Sequence, residues 1–140
     1  MNTEKDYFIP SIEDFHVGYE FEFQGIPRGW HKMVLSTENS LKTMQYNIEK
    51  LKDAIRVPYL TKEQIEAEGW KQCKENVFEK PSCIQHWIYF LWFHEESSIK
   101  KMIEANYVND NGEIELTDVV YKGPIKSVNE LRYLSKLFKI

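Results

Sequence analysis

The run from Trp87 to Phe93 is the part of the sequence that most constrains the fold. Its seven consecutive residues are all apolar, and they include two tryptophans, two phenylalanines and a tyrosine. The run is far shorter than the ~18–20 apolar residues that a helix needs to cross a bilayer. Aromatic and β-branched residues favour a strand, although periodicity alone leaves a buried helix open. We therefore predict a strand, covered on both faces, within Cys83–Glu96.

Alternating apolar residues near the start of the chain predict another strand. Between Ile12 and Phe23 the apolar residues stand at every second position, with mostly polar neighbours: Phe15, Val17, Tyr19, Phe21 and Phe23. One apolar and one polar face are typical of a half-buried strand. The glycines and the proline of Gly25–Gly29 predict a loop there. A return strand is predicted over Trp30–Leu35.

A first helix is predicted from apolar residues that recur at intervals of three and four. These residues are Leu41, Met44, Ile48, Leu51 and Ile55, and polar residues separate them. The spacing gives a helix one apolar face, which is suited to core packing. Ser36 or Thr37 is the expected cap, and the helix is expected to end between Lys52 and Ile55.

Two capping boxes predict the remaining helices. Thr61 and Gln64 form the first box, which opens a short helix over residues 62–68 that Gly69 ends. Ser127 and Glu130 form the second box. The helix that it opens has one apolar face, made by Val128, Leu131, Leu134 and Leu137.

The segments between these elements complete the prediction of an α+β fold. Residues 114–121 read as extended, and Gly123-Pro124 is expected to break the chain after them. Residues 99–108 suit either a helix or the middle strand of a meander, and we choose the strand. The prediction is a single α+β domain over residues 1–140, in which about three helices cover an antiparallel, aromatic-rich sheet.

Charge and cysteine content exclude several classes of protein. The formal net charge is -4 and the pI is near 5.6, whereas a duplex-DNA binder usually has a strong basic footprint. Residues 122–140 nevertheless carry five basic residues against Glu130. These could contact nucleic acid or form a solvated helix face. Two cysteines, ten residues apart, and no signal peptide predict a reduced cytoplasmic location without a membrane partner.

No catalytic or metal-binding motif is present, so we predict a protein that is not an enzyme and has no cofactor. On one strand, His86 and His94 would lie about 26 Å apart, too far to share an ion. Cys83 and His86 would face opposite sides of that strand, which prevents a thiol–imidazole pair. A buried cysteine that acts as a small hydrophobic residue is the simpler interpretation.

The segment Gly25–Lys32 is the best candidate for a ligand-binding site. Its candidate ligand-binding residues are Arg28, Trp30, His31 and Lys32. An arginine can clamp a phosphate, a tryptophan can stack on a base, and a histidine can donate a further hydrogen bond. The alternative is an ordinary connection in which Trp30 anchors the loop to the core and the charged residues are solvated.

Three motifs together resemble small accessory proteins of phages and prophages of Bacteroidetes-type bacteria. The motifs are Phe15–Glu20, the segment Arg56–Trp70 and the segment Tyr121–Arg132, which leads into the last helix. The family has no assigned chemistry, so the resemblance assigns no residue a role. It implies a setting in the bacterial host cytoplasm or in a virion.

This setting leads to an expected function with open alternatives. We expect a non-enzymatic, phage-type binding protein that counters host defence, either by sequestering a nucleotide signal or by inhibiting a host protein. A virion or assembly accessory protein is one alternative, and a small enzyme with a dispersed site is another. The surplus of aromatic residues also favours a homo-oligomer.

Overall fold

The computed structural model describes residues 6–25, 27–93 and 100–140. The chain divides into two compact units, the first ending at Tyr59 and the second running from Leu60 to Ile140. Each unit contains one antiparallel sheet and at least one helix, which confirms the α+β class. The strands form two sheets where the sequence analysis placed them in one. That the chain is one domain stays a prediction.

The first unit is a four-stranded sheet with one α-helix. In chain order its elements are β1 (Tyr7–Phe8), β2 (Glu20–Gly25), β3 (Gly29–Val34), α1 (Glu38–Leu51) and β4 (Ile55–Pro58). The order across the sheet is β1-β4-β2-β3, and every pair is antiparallel. The predicted return strand is therefore confirmed as β3, and Gly25 pairs with Gly29 across a tight hairpin.

The core of the first unit lies between α1 and one face of this sheet. The residues that build it come from the strands, from the segments that flank them and from the apolar stripe of the helix: Phe15, Tyr19, Phe21, Leu35, Ile48, Ile55 and Val57, with Leu41, Met44 and Leu51 packed against them. The predicted amphipathic helix is confirmed except for Ile55, which belongs to β4. The Thr37 side chain caps the helix by accepting from the Ser40 amide. A short 3-10 helix, Lys52–Ala54, links α1 to β4.

The predicted strand over Ile12–Phe23 is wrong in its first half. Residues Ile12–Asp14 form a 3-10 turn, capped because the Ser11 amide donates to the Asp14 carboxylate. Gly18 has a φ of +96°, a left-handed value that favours glycine and turns the chain before β2 begins. The alternating pattern arises partly from this turn, which explains why Val17 is exposed although Phe15 and Tyr19 are buried.

The second unit is a five-stranded meander with two helices. Its strands are β5 (Lys71–Lys74), β6 (Val77–Pro81), β7 (Trp87–Phe93), β8 (Lys100–Val108) and β9 (Ile114–Pro124). Each strand pairs with its neighbours in the sequence, so the order across the sheet is β5-β6-β7-β8-β9. The helices are α2 (Lys62–Ala67) and α3 (Val128–Phe138), and both predicted capping boxes are confirmed at their starts.

The core of the second unit joins these helices to one face of the meander. Its buried residues come from both helices, from the connections beside them and from the central strands: Leu60, Ile65, Trp70, Phe78, Leu91, Ile103, Ile125, Val128, Leu131 and Leu134. Arg132 of α3 makes two hydrogen bonds to the Glu68 carboxylate after α2, which ties the two helices together. No helix within the described ranges combines the length and hydrophobicity needed to cross a membrane.

The aromatic run forms β7, although this strand is shorter than predicted. It begins at Trp87, because residues 82–86 form a loop in which His86 has a φ of 73°. Residues 94–96 of the prediction lie outside the described residues, as does Ile99 of the next predicted strand. The rest of residues 99–108 forms β8, so the choice of a strand over a helix is confirmed.

Two features of the meander differ from the sequence analysis. The strand β9 continues through Gly123 to Pro124, where a break was expected, and Pro124 pairs with Lys100 at the strand end. Proline is tolerated there because β9 is an edge strand among the described residues, where a missing amide donor disrupts no further ladder. The hairpin of β5 and β6 was not predicted, and Asn76 at its turn has a φ of 61°.

Candidate ligand-binding site

One face of the first sheet carries polar and aromatic side chains, because alternate residues of each strand point away from α1. Phe21 and Phe23 of β2 face the core, so Glu22 between them faces the other way. Glu22 pairs with Arg56 of β4, and the Trp30 side chain of β3 shares their face. This arrangement concentrates acidic, basic and aromatic groups on one surface of the sheet.

Arg56 makes the central contacts of this face. Its guanidinium carbon lies 3.7 Å from the centre of the Tyr7 ring and 4.2 Å from the centre of the Trp30 ring. Its Nε donates a hydrogen bond of 2.6 Å to Glu22 Oε1. A guanidinium that stacks on aromatic faces and pairs with a carboxylate holds all three partners in place. We call Tyr7, Glu22, Trp30 and Arg56 the arginine cluster.

A cleft of about 590 Å³ opens beside the arginine cluster, within the first unit. Its lining combines aromatic and aliphatic side chains with three charged ones: Tyr7, Phe8, Ile9, Trp30, Lys52, Asp53, Ile55 and Arg56. Clefts of a few hundred cubic ångströms with mostly apolar walls and a few charged groups are typical of small-ligand sites. The aromatic rings of the cleft can stack on a planar ligand. Two cations and one carboxylate can bind the polar groups of that ligand.

Two of the three charged groups that line the cleft come from the turn after α1. Lys52 and Asp53 belong to the 3-10 helix that follows α1. Lys52 Nζ lies 3.7 Å from a Glu49 carboxylate oxygen, but both side chains are more than half exposed. An exposed ion pair of this kind contributes little stability and is easily exchanged. Lys52 can therefore turn to an anionic ligand at low cost.

The structure does not bring the four candidate residues of the sequence analysis into one site. Trp30 lines the cleft, and Lys32 is on the same face, with its Nζ 3.4 Å from Glu20 Oε2. His31 lies on the opposite face of β3, where its Nε2 is 2.6 Å from the Pro27 carbonyl oxygen. Arg28 is exposed at the hairpin turn. Whether these residues bind a ligand stays a prediction.

Sequence reasoning missed the polar residues of the cleft and one of its aromatic residues, namely Lys52, Asp53, Arg56 and Tyr7. Arg56 lies 34 residues after its partner Glu22, and no local pattern indicates that β4 inserts between β1 and β2. The available signal was the extended segment after the first helix, in which Arg56 alternates with the apolar residues Ile55 and Val57. That alternation places Arg56 on the face away from the core.

Lys101 is another charged residue that sequence reasoning missed. It is on β8 and is 1% exposed, with its Nζ 4.4 Å from the centre of the Phe93 ring. Burial lowers the pKa of Lys101 from 10.5 to about 8, because a charged amine is poorly solvated there. This residue lies in the second unit and is not part of the cleft.

The other candidate residues are placed individually. His86 Nδ1 lies 3.1 Å from the Val108 carbonyl oxygen, while His94 is outside the described residues. Cys83 is exposed, not buried as expected, because it lies in the loop before β7. Among the described residues, no group of three or more histidine, cysteine or acidic side chains could hold a metal ion. The basic Arg132 is paired with Glu68, whereas Lys136 and Lys139 are exposed.

Comparisons of the chain with protein-family models, with curated proteins and with solved structures gave no match.

Proposed function

We propose that this protein is a non-enzymatic binding protein that holds a small nucleotide in the cleft of its first unit. The observation that carries the proposal is the combination of the aromatic rings of Tyr7 and Trp30 with the cations Lys52 and Arg56 in a single cleft of about 590 Å³. Nucleotides are common small metabolites that offer a planar ring and an anionic group together. Rings that can stack on the base and cations that can bind the anionic group are thus present within one site.

Each part of the ligand has a matching group. The base would stack on Trp30 or Tyr7, since base–aromatic stacking contributes on the order of 1–3 kcal/mol. A phosphate would contact Lys52 and the terminal nitrogens of Arg56, because the hydrogen bond to Glu22 uses Nε. The Asp53 carboxylate can accept hydrogen bonds from ring amines or from ribose hydroxyls.

The resemblance to phage accessory proteins supports a biological setting for this binding. A small phage protein in the bacterial host cytoplasm can counter host defence by sequestering a nucleotide signal, and this role requires tight binding and no catalysis or cofactor. We therefore take sequestration as the proposed role. Inhibition of a host protein is the alternative that a negative ligand screen would favour.

Isothermal titration calorimetry against cyclic dinucleotides, cyclic trinucleotides and ADP-ribose derivatives tests the proposal. We expect saturable binding of at least one member, with partial quenching of the tryptophan fluorescence. Lys52→Ala should weaken binding, whereas Lys50→Ala, an exposed lysine of α1 that does not line the cleft, should not. Because Lys52 is exposed, neither change should alter the thermal stability of the free protein.

Arg28→Ala distinguishes the cleft from the hairpin site of the sequence analysis. The cleft does not include Arg28, so this variant should bind like the wild type, while Arg56→Lys should bind weakly because lysine cannot stack as a planar group. If Arg28→Ala abolishes binding and Lys52→Ala does not, the ligand is at the hairpin and the cleft proposal is wrong. No heat with any nucleotide would reject the nucleotide as ligand.

A further inference from the structure

The charged groups at the cleft of the first unit neutralise one another. Two cations, Lys52 and Arg56, and one carboxylate, Asp53, line the cleft. Glu22 adds a second carboxylate, because its Oε1 accepts the hydrogen bond of 2.6 Å from Arg56 Nε. The formal charges of these four side chains sum to zero. An anionic ligand therefore enters a site whose described charged groups have no surplus of positive charge.

The two cations differ in how strongly a carboxylate already holds them. Glu22 and Arg56 are largely buried, so that salt and water screen their attraction only weakly. Lys52 lies 3.7 Å from Glu49, but this pair is exposed and contributes little. Of the cations that line the cleft in the described part of the chain, Lys52 is thus the one that a ligand can recruit without competing with a short carboxylate contact.

We propose, on the basis of the proposed function, that the anionic group bound in this cleft is the phosphodiester of a nucleotide and not a terminal phosphate or a polyphosphate. A phosphodiester carries one negative charge at neutral pH. A phosphate monoester carries a charge of about −1.5 to −2 at pH 7. The chain of a triphosphate carries more than either.

One negative charge matches what the cleft supplies. Lys52 offers the opposite charge, and the terminal nitrogens of Arg56 can donate hydrogen bonds while Nε stays bound to Glu22. A further negative charge on the ligand has no second available cation among these residues, and it lies in the same cleft as the Asp53 carboxylate. Repulsion between like charges a few ångströms apart should weaken binding by about tenfold.

Isothermal titration calorimetry of nucleotides that differ in charge tests the proposal. The probes are adenosine and guanosine 5′-monophosphate, the methyl ester of each monophosphate, and the two 5′-triphosphates, in EDTA so that no magnesium ion neutralises the phosphates. The methyl ester keeps the base, the sugar and the position of the phosphate but removes one ionisable oxygen. We expect the methyl esters to bind most tightly and the triphosphates about tenfold more weakly or worse.

Asp53→Asn tests whether charge sets this order. The change should lower the ratio of the dissociation constants of triphosphate and methyl ester severalfold, because it removes the carboxylate that repels the additional charges. Glu38→Gln is the matched control. It alters the net charge of the chain equally, but Glu38 is exposed in the first turn of α1 and does not line the cleft. The control should leave the ratio unchanged.

The outcomes separate this proposal from the proposed function. A triphosphate that binds as tightly as the methyl ester, binding of ADP-ribose derivatives alone, or a ratio that Asp53→Asn leaves unchanged would overturn the phosphodiester and leave the nucleotide site standing. Binding of cyclic nucleotides alone would support it, because all their phosphates are diesters. No heat with any of these compounds would overturn the proposed function and the phosphodiester together.

Discussion

Glu22 and Arg56 are direct cross-strand neighbours on β2 and β4, and Arg56 Nε lies 2.6 Å from Glu22 Oε1. Both side chains are about three-quarters buried, at 25% and 21% exposure. The carboxylate holds the guanidinium where it contacts Tyr7 and Trp30. This pair therefore links the packing of all four strands of the first sheet to the shape of the cleft.

A double-mutant cycle with Glu22→Gln and Arg56→Met should give a coupling energy of about 1 kcal/mol, because water only partly replaces a charge-assisted hydrogen bond in a pair that is about three-quarters buried. The measurement is urea unfolding of the four proteins. The exposed pair of Glu49 and Lys52 is the control, and its cycle should give a coupling near zero. Equal couplings for both pairs would contradict the prediction.

The capping boxes of α2 and α3 should differ in their contributions to stability. Thr61→Ala should lower the free energy of unfolding by about 0.5–1 kcal/mol and Ser127→Ala by about 1–2 kcal/mol. The difference is expected because Ser127 is fully buried, contacts Glu130 and accepts from both the amide and the side chain of Asn129. Denaturation midpoints of the two variants check this. A larger loss for Thr61→Ala than for Ser127→Ala would contradict the prediction.

Lys101 should make the stability of the protein depend on pH in the alkaline range. Below pH 8 the buried amine is charged and its desolvation cost is fully present; between about 8 and 10.5 the folded state loses the proton that the unfolded state keeps. The wild type should therefore gain stability relative to Lys101→Met as the pH rises through this window. Urea unfolding of both proteins at several pH values measures the difference. A constant difference would contradict the lowered pKa.

The turn between β5 and β6 depends on a residue that accepts a left-handed backbone. Asn76 has a φ of 61°, a conformation that disfavours side chains with a Cβ other than asparagine or aspartate. Asn76→Ala should lower the free energy of unfolding by about 1 kcal/mol, while Asn76→Gly should leave it unchanged or raise it. Glu75→Ala, at the exposed neighbouring position, is the control and should have little effect. Thermal melting of the three variants provides the comparison.

The helices could be predicted from the sequence because their signals are local. Thr61 and Gln64, three residues apart, exchange the capping hydrogen bonds of α2. Ser127 and Glu130 have the same spacing at the start of α3. The predicted strand over Ile12–Phe23 began too early, because alternation of apolar residues cannot distinguish β2 from the turn at Gly18 that precedes it. The hairpin at Asn76 was missed because its strands β5 and β6 are only four and five residues long.

The cleft could not be predicted, because its residues meet through long-range strand pairing. Trp30 was identified from its own chemistry, but its contact with Arg56 depends on β2 lying between β3 and β4. Tyr7 reaches the site only because β1 pairs with the end of β4. His31 was grouped with Trp30 as a sequence neighbour, yet adjacent strand residues point to opposite faces. Adjacent positions on a strand are thus poor evidence for a shared site.

The strand order of the second sheet has a consequence for how the chain reaches its native state. Every pairing from β5 to β9 joins sequence neighbours, so each requires only a short segment to close. Pairing of Tyr7 with Pro58 in the first unit encloses β2, β3 and α1 and costs more closure entropy. Low contact order is associated with rapid folding. The meander should therefore acquire hydrogen-exchange protection early in refolding, and β1 should be among the last strands to dock.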